Sequence, residues 1–368
     1  MTWIEEMREN VTSVEELERH IELTCAEKER IRAITDRYPM SITPYYLSLI
    51  DKNDPQDPIR KMCIPSASET DLSGSFDTSG EYQNTKVKGL QHKYAQTALV
   101  LSTNVCAMYC RHCFRKRLVG ISDAETIKML DHIADYIEQH KEIDNVLISG
   151  GDALMNSNHI IERLLQRLTH MDHLNFIRIG SRIPVVLPSR IYKDKELLGI
   201  LKRYAANKRI YLVTQFNHPR ELTPKARLAV ERLLYNEVIV SNQTVLLKGV
   251  NDDPDTMAEL MNRLTRCGVV PYYVFQCRPV TGVKAQFQIP LLKASRIIDE
   301  TRSMLNGHAK RFKFVMSHEG GKIEIIGVLK NSDMVFKYHQ SKDIKDSGRM
   351  FIQTVKDDQC WLDEVYEL

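Results

Sequence analysis

From residue 97 onward, short β-branched apolar runs alternate with helical patterns, the runs falling at 98–102, 145–148, 176–179, 210–214, 238–240 and 269–275. A strand followed each time by a helix is covered on both faces, which makes the sheet parallel and the fold α/β. Local signals agree with that rhythm. Ser122-Asp123-Ala124-Glu125 has capping-box spacing ahead of Ile127, Leu130, Ile133, Ala134 and Ile137, which line one stripe of a helix. Thr223-Pro224 starts another helix, with proline in the first turn where its missing N–H costs little. About six βα units, curled, predict a partial (βα)6 barrel of the TIM type.

The rest of the chain frames that barrel. Residues 1–90 read as a helical N-terminal region: Ser13 stands in capping-box spacing with Glu16 ahead of Leu17, Ile21 and Leu23. Within it, 51–89 is rich in Asp, Pro, Ser and Gly and reads as ordered loop or linker rather than core. Residues 91–310 hold the barrel, and 311–368 a small β-containing C-terminal segment in which 312–316 and 323–326 flank a turn. Each predicted barrel strand ends in a polar or glycine-containing cluster: a cysteine loop, Ser149-Gly150-Gly151-Asp152, Gly180-Ser181-Arg182, Asn217-His218-Pro219, Ser241-Asn242-Gln243 and Gln276-Cys277-Arg278-Pro279. In βα barrels the C-terminal strand ends carry the chemistry, so one site at one mouth accounts for all of them.

The cysteine loop reads Cys106-Ala107-Met108-Tyr109-Cys110-Arg111-His112-Cys113. Iron–sulfur clusters are ordinarily held by four cysteines, so a cube tied down by three keeps one iron open to another ligand. Buried thiols or a zinc site are the bland alternatives, and zinc sites usually show paired C-x2-C knuckles or histidine partners. The remaining cysteines, at 25, 63, 267, 277 and 360, are scattered and read as free small hydrophobes. The start of the chain is acidic and amphipathic, without the cationic and apolar regions of a leader. No run approaches the roughly 18–20 apolar residues of a membrane span. The expectation is a soluble protein of the reducing cytoplasm, which suits an oxygen-sensitive cluster. A net charge of +3 is too small to argue for nucleic acid or membrane.

With Tyr109 and the Arg111-His112 pair, the loop closely resembles that of radical S-adenosylmethionine (SAM) enzymes. The resemblance implies a [4Fe–4S] cluster on Cys106, Cys110 and Cys113 whose open iron is chelated by SAM, and an electron that splits the sulfonium to give a 5′-deoxyadenosyl radical. The stretches 176–188, 215–219 and 242–252 match one subgroup in order and spacing, the lysine 2,3-aminomutase family, and the match runs from His92-Lys93-Tyr94 to Gly320-Gly321-Lys322. By that resemblance pyridoxal phosphate (PLP) forms an internal aldimine on Lys322, with Lys93 and Tyr94 near its phosphate and Gln243 also contacting it. Ser149, Gly150, Gly151, Asp152, Arg182, Asn217 and His218 would serve SAM, and Arg115 the substrate α-carboxylate. Glycines at 150 and 151 would let the backbone approach SAM closely, and Gly320-Gly321 would let the lysine amine swing. The implied reaction moves an amino group from C2 to C3 through an aza-cyclopropyl radical, with SAM recycled and an electron donor such as flavodoxin or ferredoxin. Oligomeric state stays open.

Departures from the family narrow the expectation. Clostridial lysine mutases carry a structural zinc on cysteines after the Asn-Asp of the fifth unit and in a cysteine-rich tail; here Asp253 follows Asn251-Asp252 and the tail offers only Cys360, so that zinc and its tail-exchanged assembly are not expected. The lysine enzymes grip the terminal ammonium with two aspartates. Arg278 stands at the first position, and the second region, 312–318, holds no acid, Glu319 being the nearest. Glutamate 2,3-aminomutases of the family also carry a basic residue there, and a guanidinium suits a planar carboxylate. The expected substrate is therefore glutamate-like, with lysine next, unless Arg278 turns toward Glu319 or the PLP phosphate. Two other classes stay open: a radical SAM enzyme that spends SAM on a peptide or tRNA, with the basic run 111–117 facing RNA, and a non-enzymatic iron–sulfur redox or regulatory protein. Neither needs a PLP lysine.

Overall fold

The computed structural model describes residues 2–126, 130–330 and 332–362. Its strands form one sheet in chain order: β1 (Thr85–Val87), β2 (Leu90–Tyr94), β3 (Thr97–Thr103), β4 (Asn145–Gly150), β5 (Phe176–Gly180), β6 (Arg209–Thr214), β7 (Ile239–Leu246), β8 (Val270–Gln276), β9 (Lys313–Ser317), β10 (Gly321–Val328), β11 (Asp333–Ser341) and β12 (Met350–Thr354). Pairing is parallel from β3 through β9 and antiparallel on both flanks.

The β-branched runs become strands because alternate residues meet two different surroundings. Val146, Ile148, Ile177, Ile179, Ile210 and Leu212 are fully buried, each contributing roughly 1.5–3 kcal/mol of apolar burial. Between them Leu147, Arg178 and Tyr211, aligned across β4, β5 and β6 by register, are only half-buried. That row lies on the opposite face of the sheet from the fully buried residues. The helices Asn158–Thr169, Lys195–Ala205, Pro224–Tyr235 and Pro254–Arg266 each start where Ser157, Asp194, Thr223 or Asp253 accepts a first-turn N–H. The Thr223-Pro224 start is the one expected.

Four expectations need correction. Strand β9 adds a further parallel partner beyond the six predicted, because 313–317 pairs with β8 on one side while forming the hairpin with β10 on the other. Ser241-Asn242-Gln243 lies inside β7 rather than at its end. The Asn242 side chain accepts from Phe216 N–H at 2.7 Å and donates to Phe216 O at 3.0 Å, so a polar triplet that reads as a stop is absorbed into the sheet. The helix expected from Ser122 is described only over Leu130–Gln139, with Ile133, Ala134 and Ile137 buried as its stripe requires; Ile127 lies outside the described residues. Ser122 caps only a turn, and Glu125 pairs with Arg117 at 2.7 Å.

The fourth correction bears on function. Residues 51–89 carry the helix Pro58–Cys63 and buried acids at Asp57, Glu69 and Glu81, so this stretch belongs to the packed protein. Upstream, Ser13 caps Val14–Glu18 with Glu16 as the spacing predicts. One contiguous hydrophobic core runs from Val11 to Leu362.

Candidate functional site

Beyond β3 the chain turns through Cys106, Cys110 and Cys113, all half-buried free thiols. Burial pushes the Cys113 thiol up to about 11 and that of Cys106 well above its ordinary value, so a metal bound by these two must displace their protons. The loop is pinned from outside the barrel: Tyr109 N–H donates to Ser41 O and Arg111 N–H to Met62 O, both at 2.9 Å. From inside it is pinned by the glycine turn. Gly151 N–H donates to Thr103 O at 2.6 Å and Asp152 N–H to Val105 O at 2.8 Å. A Cβ on Gly150 would lie 2.2 Å from Thr103 O and one on Gly151 2.4 Å from Val105 O. These glycines permit a close approach to the cysteine loop itself.

Around the loop the strand-end residues interlock. Arg182 Nη1 lies 2.5 Å from Cys110 Sγ, its Nη2 donates to Glu221 Oε1 at 2.8 Å, and its Nε donates to Gln215 O at 3.1 Å. Asp152 Oδ2 accepts from Arg182 N–H at 2.6 Å, and burial raises its carboxyl to about 6. His112 Nε2 meets Gln215 Oε1 and Asn217 Nδ2, each at 3.2 Å, and burial drives the ring down to about 3, leaving it neutral. Asn217 Oδ1 accepts from Val245 N–H at 2.9 Å, and His218 Nδ1 accepts from Arg220 N–H at 3.2 Å. His112 spends Nε2 on these amides, while its buried Nδ1 has no hydrogen-bond partner among the described residues. The loop itself offers three thiols, a set that suits a cube with one open iron.

A second cluster forms where β2, β8 and β10 meet the mouth. Lys322 Nζ stands 4.3 Å from the Tyr273 ring centroid and 5.9 Å from that of Phe275. Burial, then Arg178, Arg278 and Lys93, bring its amine down to about 7. Gln243 pairs with Tyr273 in register and so neighbours the same ring. Lys93 Nζ donates to Ser79 O at 3.0 Å and His318 O at 2.6 Å; burial, then Arg278 and Lys342, lower it to about 7 as well. Tyr94 is carried on β2 beside it, its phenol raised by burial. Gly321 is not a swivel. It opens β10, and a Cβ there would lie 2.3 Å from Gln340 O, so glycine is required for close strand packing. A near-neutral amine over an aromatic ring, with cations on several sides, fits an anionic aldehyde cofactor such as PLP.

Arg115 and Arg278 share Phe114, their guanidinium carbons 4.6 and 4.2 Å from its ring centroid. Arg115 is heavily committed: Nε and Nη2 lie 3.1 and 3.0 Å from Glu81 Oε1, and Nη1 donates to Ser149 Oγ and Gly150 O, both at 3.2 Å. Arg278 is half-buried, makes one hydrogen bond among the described residues, Nη1 to Ser79 Oγ at 3.0 Å, and does not pair with Glu319. Beside it opens a cleft of about 320 Å3 lined by Asp77, Thr78, Pro279, His318, Glu319 and Trp361. The run 111–117 is no RNA-facing patch, since Arg111, Arg115 and Lys116 are buried in ion pairs and Arg117 bonds Glu81 at 2.7 Å.

Glu81, Ser79, Phe114 and Arg178 carry much of this arrangement without having been singled out for a role. Burial alone would raise the Glu81 carboxyl, but Arg115, Arg117 and Arg278 pull it down from 4.5 to about 2. Its contribution to stability is accordingly complete above pH 4.5 and lost as pH falls toward 2, about 3 kcal/mol over that window. Glu81→Ala should cost roughly 3–5 kcal/mol at neutral pH, because it strands buried guanidiniums. Urea unfolding checks it, and a loss within about 1 kcal/mol at pH 7 would contradict the ion network.

The Radical SAM superfamily model matches residues 100–261, from β3 past the cysteine loop and through the strand-end residues to Asn217 and beyond. The L-lysine 2,3-aminomutase of Clostridium subterminale is 41% identical over 322 residues, covering 87% of this chain and 76% of its own length. That of Bacillus subtilis is 38% identical over 325 residues, covering 87% and 67%. The glutamate 2,3-aminomutase of Clostridioides difficile is 36% identical over 318 residues, covering 86% and 74%.

Proposed function

We propose, because this chain belongs to the lysine 2,3-aminomutase family of radical SAM enzymes, that it moves the α-amino group of a dicarboxylic amino acid from C2 to C3, glutamate being the reference substrate. Cys106, Cys110 and Cys113 hold the [4Fe–4S] cluster in this reading. Ser149, Gly150, Gly151, Asp152, Arg182, Asn217 and His218 form the SAM side, and Lys322, Lys93, Tyr94 and Gln243 the PLP side. When bound, the cluster and SAM supply a hydrogen-abstracting radical and PLP an electron sink on the substrate nitrogen.

The chain's own residues bind, orient and keep water out. Lys322 presents an amine that is substantially unprotonated near neutral pH, so it can attack an aldehyde without first losing a proton to bulk water. Tyr273 and Phe275 wall that amine with apolar surface. Lys93 presents an amine anchored on the carbonyls of Ser79 and His318, whose protonated form a phosphate beside it would favour. Arg115, with Nε and Nη1 already engaged, has little left to offer a carboxylate beyond one Nη2 hydrogen. Arg278 keeps a more open fork and is the observation that carries the dicarboxylate reading. The test is anaerobic incubation of the reduced enzyme with SAM, PLP and either glutamate or lysine, followed by separation of the 3-amino isomers. A glutamate isomer as the main product is expected; turnover of neither amino acid would count against a mutase of this substrate class.

A pH dependence follows from Lys322. Its amine sits near 7 rather than 10.5, so PLP uptake by cofactor-free protein should rise through about pH 7 and level off by about pH 8–9, where an ordinary lysine would still be protonated. Borohydride reduction of the loaded protein should fix the label on the peptide carrying Lys322. Label on another lysine, or uptake that climbs only above pH 10, would remove Lys322 from the site.

A further inference from the structure

Glu69, Arg111 and Lys116 form a buried ion network that the proposed chemistry leaves unused. The Glu69 side chain is 0% exposed and that of Arg111 2%. Arg111 Nε donates to Glu69 Oε1 at 2.9 Å and its Nη2 to Oε2, while Nη1 reaches Pro39 O at 2.9 Å. Lys116 Nζ donates to Glu69 Oε2 at 2.7 Å and to Arg111 O at 3.1 Å, and it stands 4.7 Å from the Tyr38 ring centroid. Two cations thus face one carboxylate, and the excess positive charge is held away from water. Stability is a weak reason to keep such a group, since well-packed apolar residues often replace buried ion networks at no cost. Its neighbours are more telling. Arg111 and Lys116 share with Cys110 and Cys113 the lining of a small cavity of about 20 Å3, closed by Tyr38 and Tyr109.

We propose that this network sets the reduction potential of the cluster on Cys106, Cys110 and Cys113, Lys116 supplying the excess positive charge and Glu69 limiting it. The inference rests on the cysteine assignment above. Adding an electron makes a cluster more negative, so a fixed cation beside it favours the reduced state, and net charge is one of the recognised levers on cluster potential. In a water-poor setting such a charge is screened far less than at the surface. Arg182 lies against Cys110 as well, but Glu221 balances it at 2.8 Å, and both stay constant in the variants below.

The experiment is an anaerobic redox titration followed by electron paramagnetic resonance, with iron content measured on the same samples. Lys116→Met should shift the midpoint potential negative and Glu69→Gln should shift it positive. The double variant should return toward the unsubstituted value, and Lys116→Arg should stay close to it. Normal iron with unmoved potentials, or both single variants moving the same way, would overturn the proposal. So would loss of iron in Lys116→Met together with an unmoved potential in Glu69→Gln, because Lys116 would then be only a support. Absence of iron from the unsubstituted protein would instead sink the cysteine assignment.

Discussion

Cys110→Ala should purify with iron near background and without reductive cleavage of SAM, while Cys25→Ala and Cys360→Ala keep the iron of the unsubstituted protein. The asymmetry follows from how the cysteines are placed. Cys25 opens a surface helix and is exposed, and Cys360 caps a turn in the tail, its Sγ lying 3.4 Å from Asp358 O. Cys106, Cys110 and Cys113 stand together in one pinned loop, and a cube with only three protein anchors cannot lose one without a second iron opening to solvent. Cys110 has a further partner, the Arg182 guanidinium at 2.5 Å, which would be left facing a void. Iron analysis and the visible spectrum decide the outcome. Full iron in Cys110→Ala would show that this thiol is no ligand, and the radical reading would fall with it.

The barrel strands and the cysteine loop were legible because their information is local. A strand such as 145–150 declares itself by apolar β-branched residues, and the three thiols sit within a few residues of one another, so no tertiary knowledge is needed to group them. Glu81 and Glu69 were invisible for the opposite reason. They come from a stretch whose Asp, Pro, Ser and Gly content signals loop, and only partners more than thirty residues away, Arg115 and Arg111, reveal them as buried acids. The glycines are a subtler case. Residues 150, 151 and 321 stand out in the sequence as glycines, but one constraint on them is tertiary: backbone oxygens lie 2.2–2.4 Å from a hypothetical Cβ at each. In the same way Ser241-Asn242-Gln243 was read as a strand end because its residues disfavour strands, and the side chain of Asn242, bonded to Phe216, overrides that preference.

Arg278→Asp should cut kcat/KM for glutamate by roughly a hundredfold to several thousandfold, the equivalent of about 3–5 kcal/mol, and raise activity on lysine above that of the unsubstituted enzyme. The reason lies in what surrounds the guanidinium. Arg278 is half-buried over the Phe114 ring, holds Ser79 Oγ with one N–H, and has its charge supported by Glu81. Arg115 lies over the same ring, and its own fork is largely spent on Glu81 and the β4 end. Two guanidinium carbons at 4.2 and 4.6 Å from one ring centroid are at most 8.8 Å apart. Four carbon–carbon bonds of about 1.5 Å place the two carboxyl carbons of glutamate roughly 5 Å apart when extended, a span within that bound, so the far carboxylate can meet Arg278 while the near one takes the Nη2 hydrogen that Arg115 has left. An ammonium in the same place would meet like charge in a water-poor site, which is how a pocket rejects the wrong substrate as well as accepting the right one. Substituting Asp inverts the charge offered to the far end of the substrate while Glu81 and Arg115 stay in place. Arg278→Lys is the control: it keeps the charge but not the planar fork, so glutamate turnover should fall by less than in the aspartate variant. Preferred turnover of lysine by the unsubstituted enzyme, or an aspartate variant whose discrimination between the two amino acids is unchanged, would remove Arg278 from substrate selection and leave its fork to the cofactor phosphate.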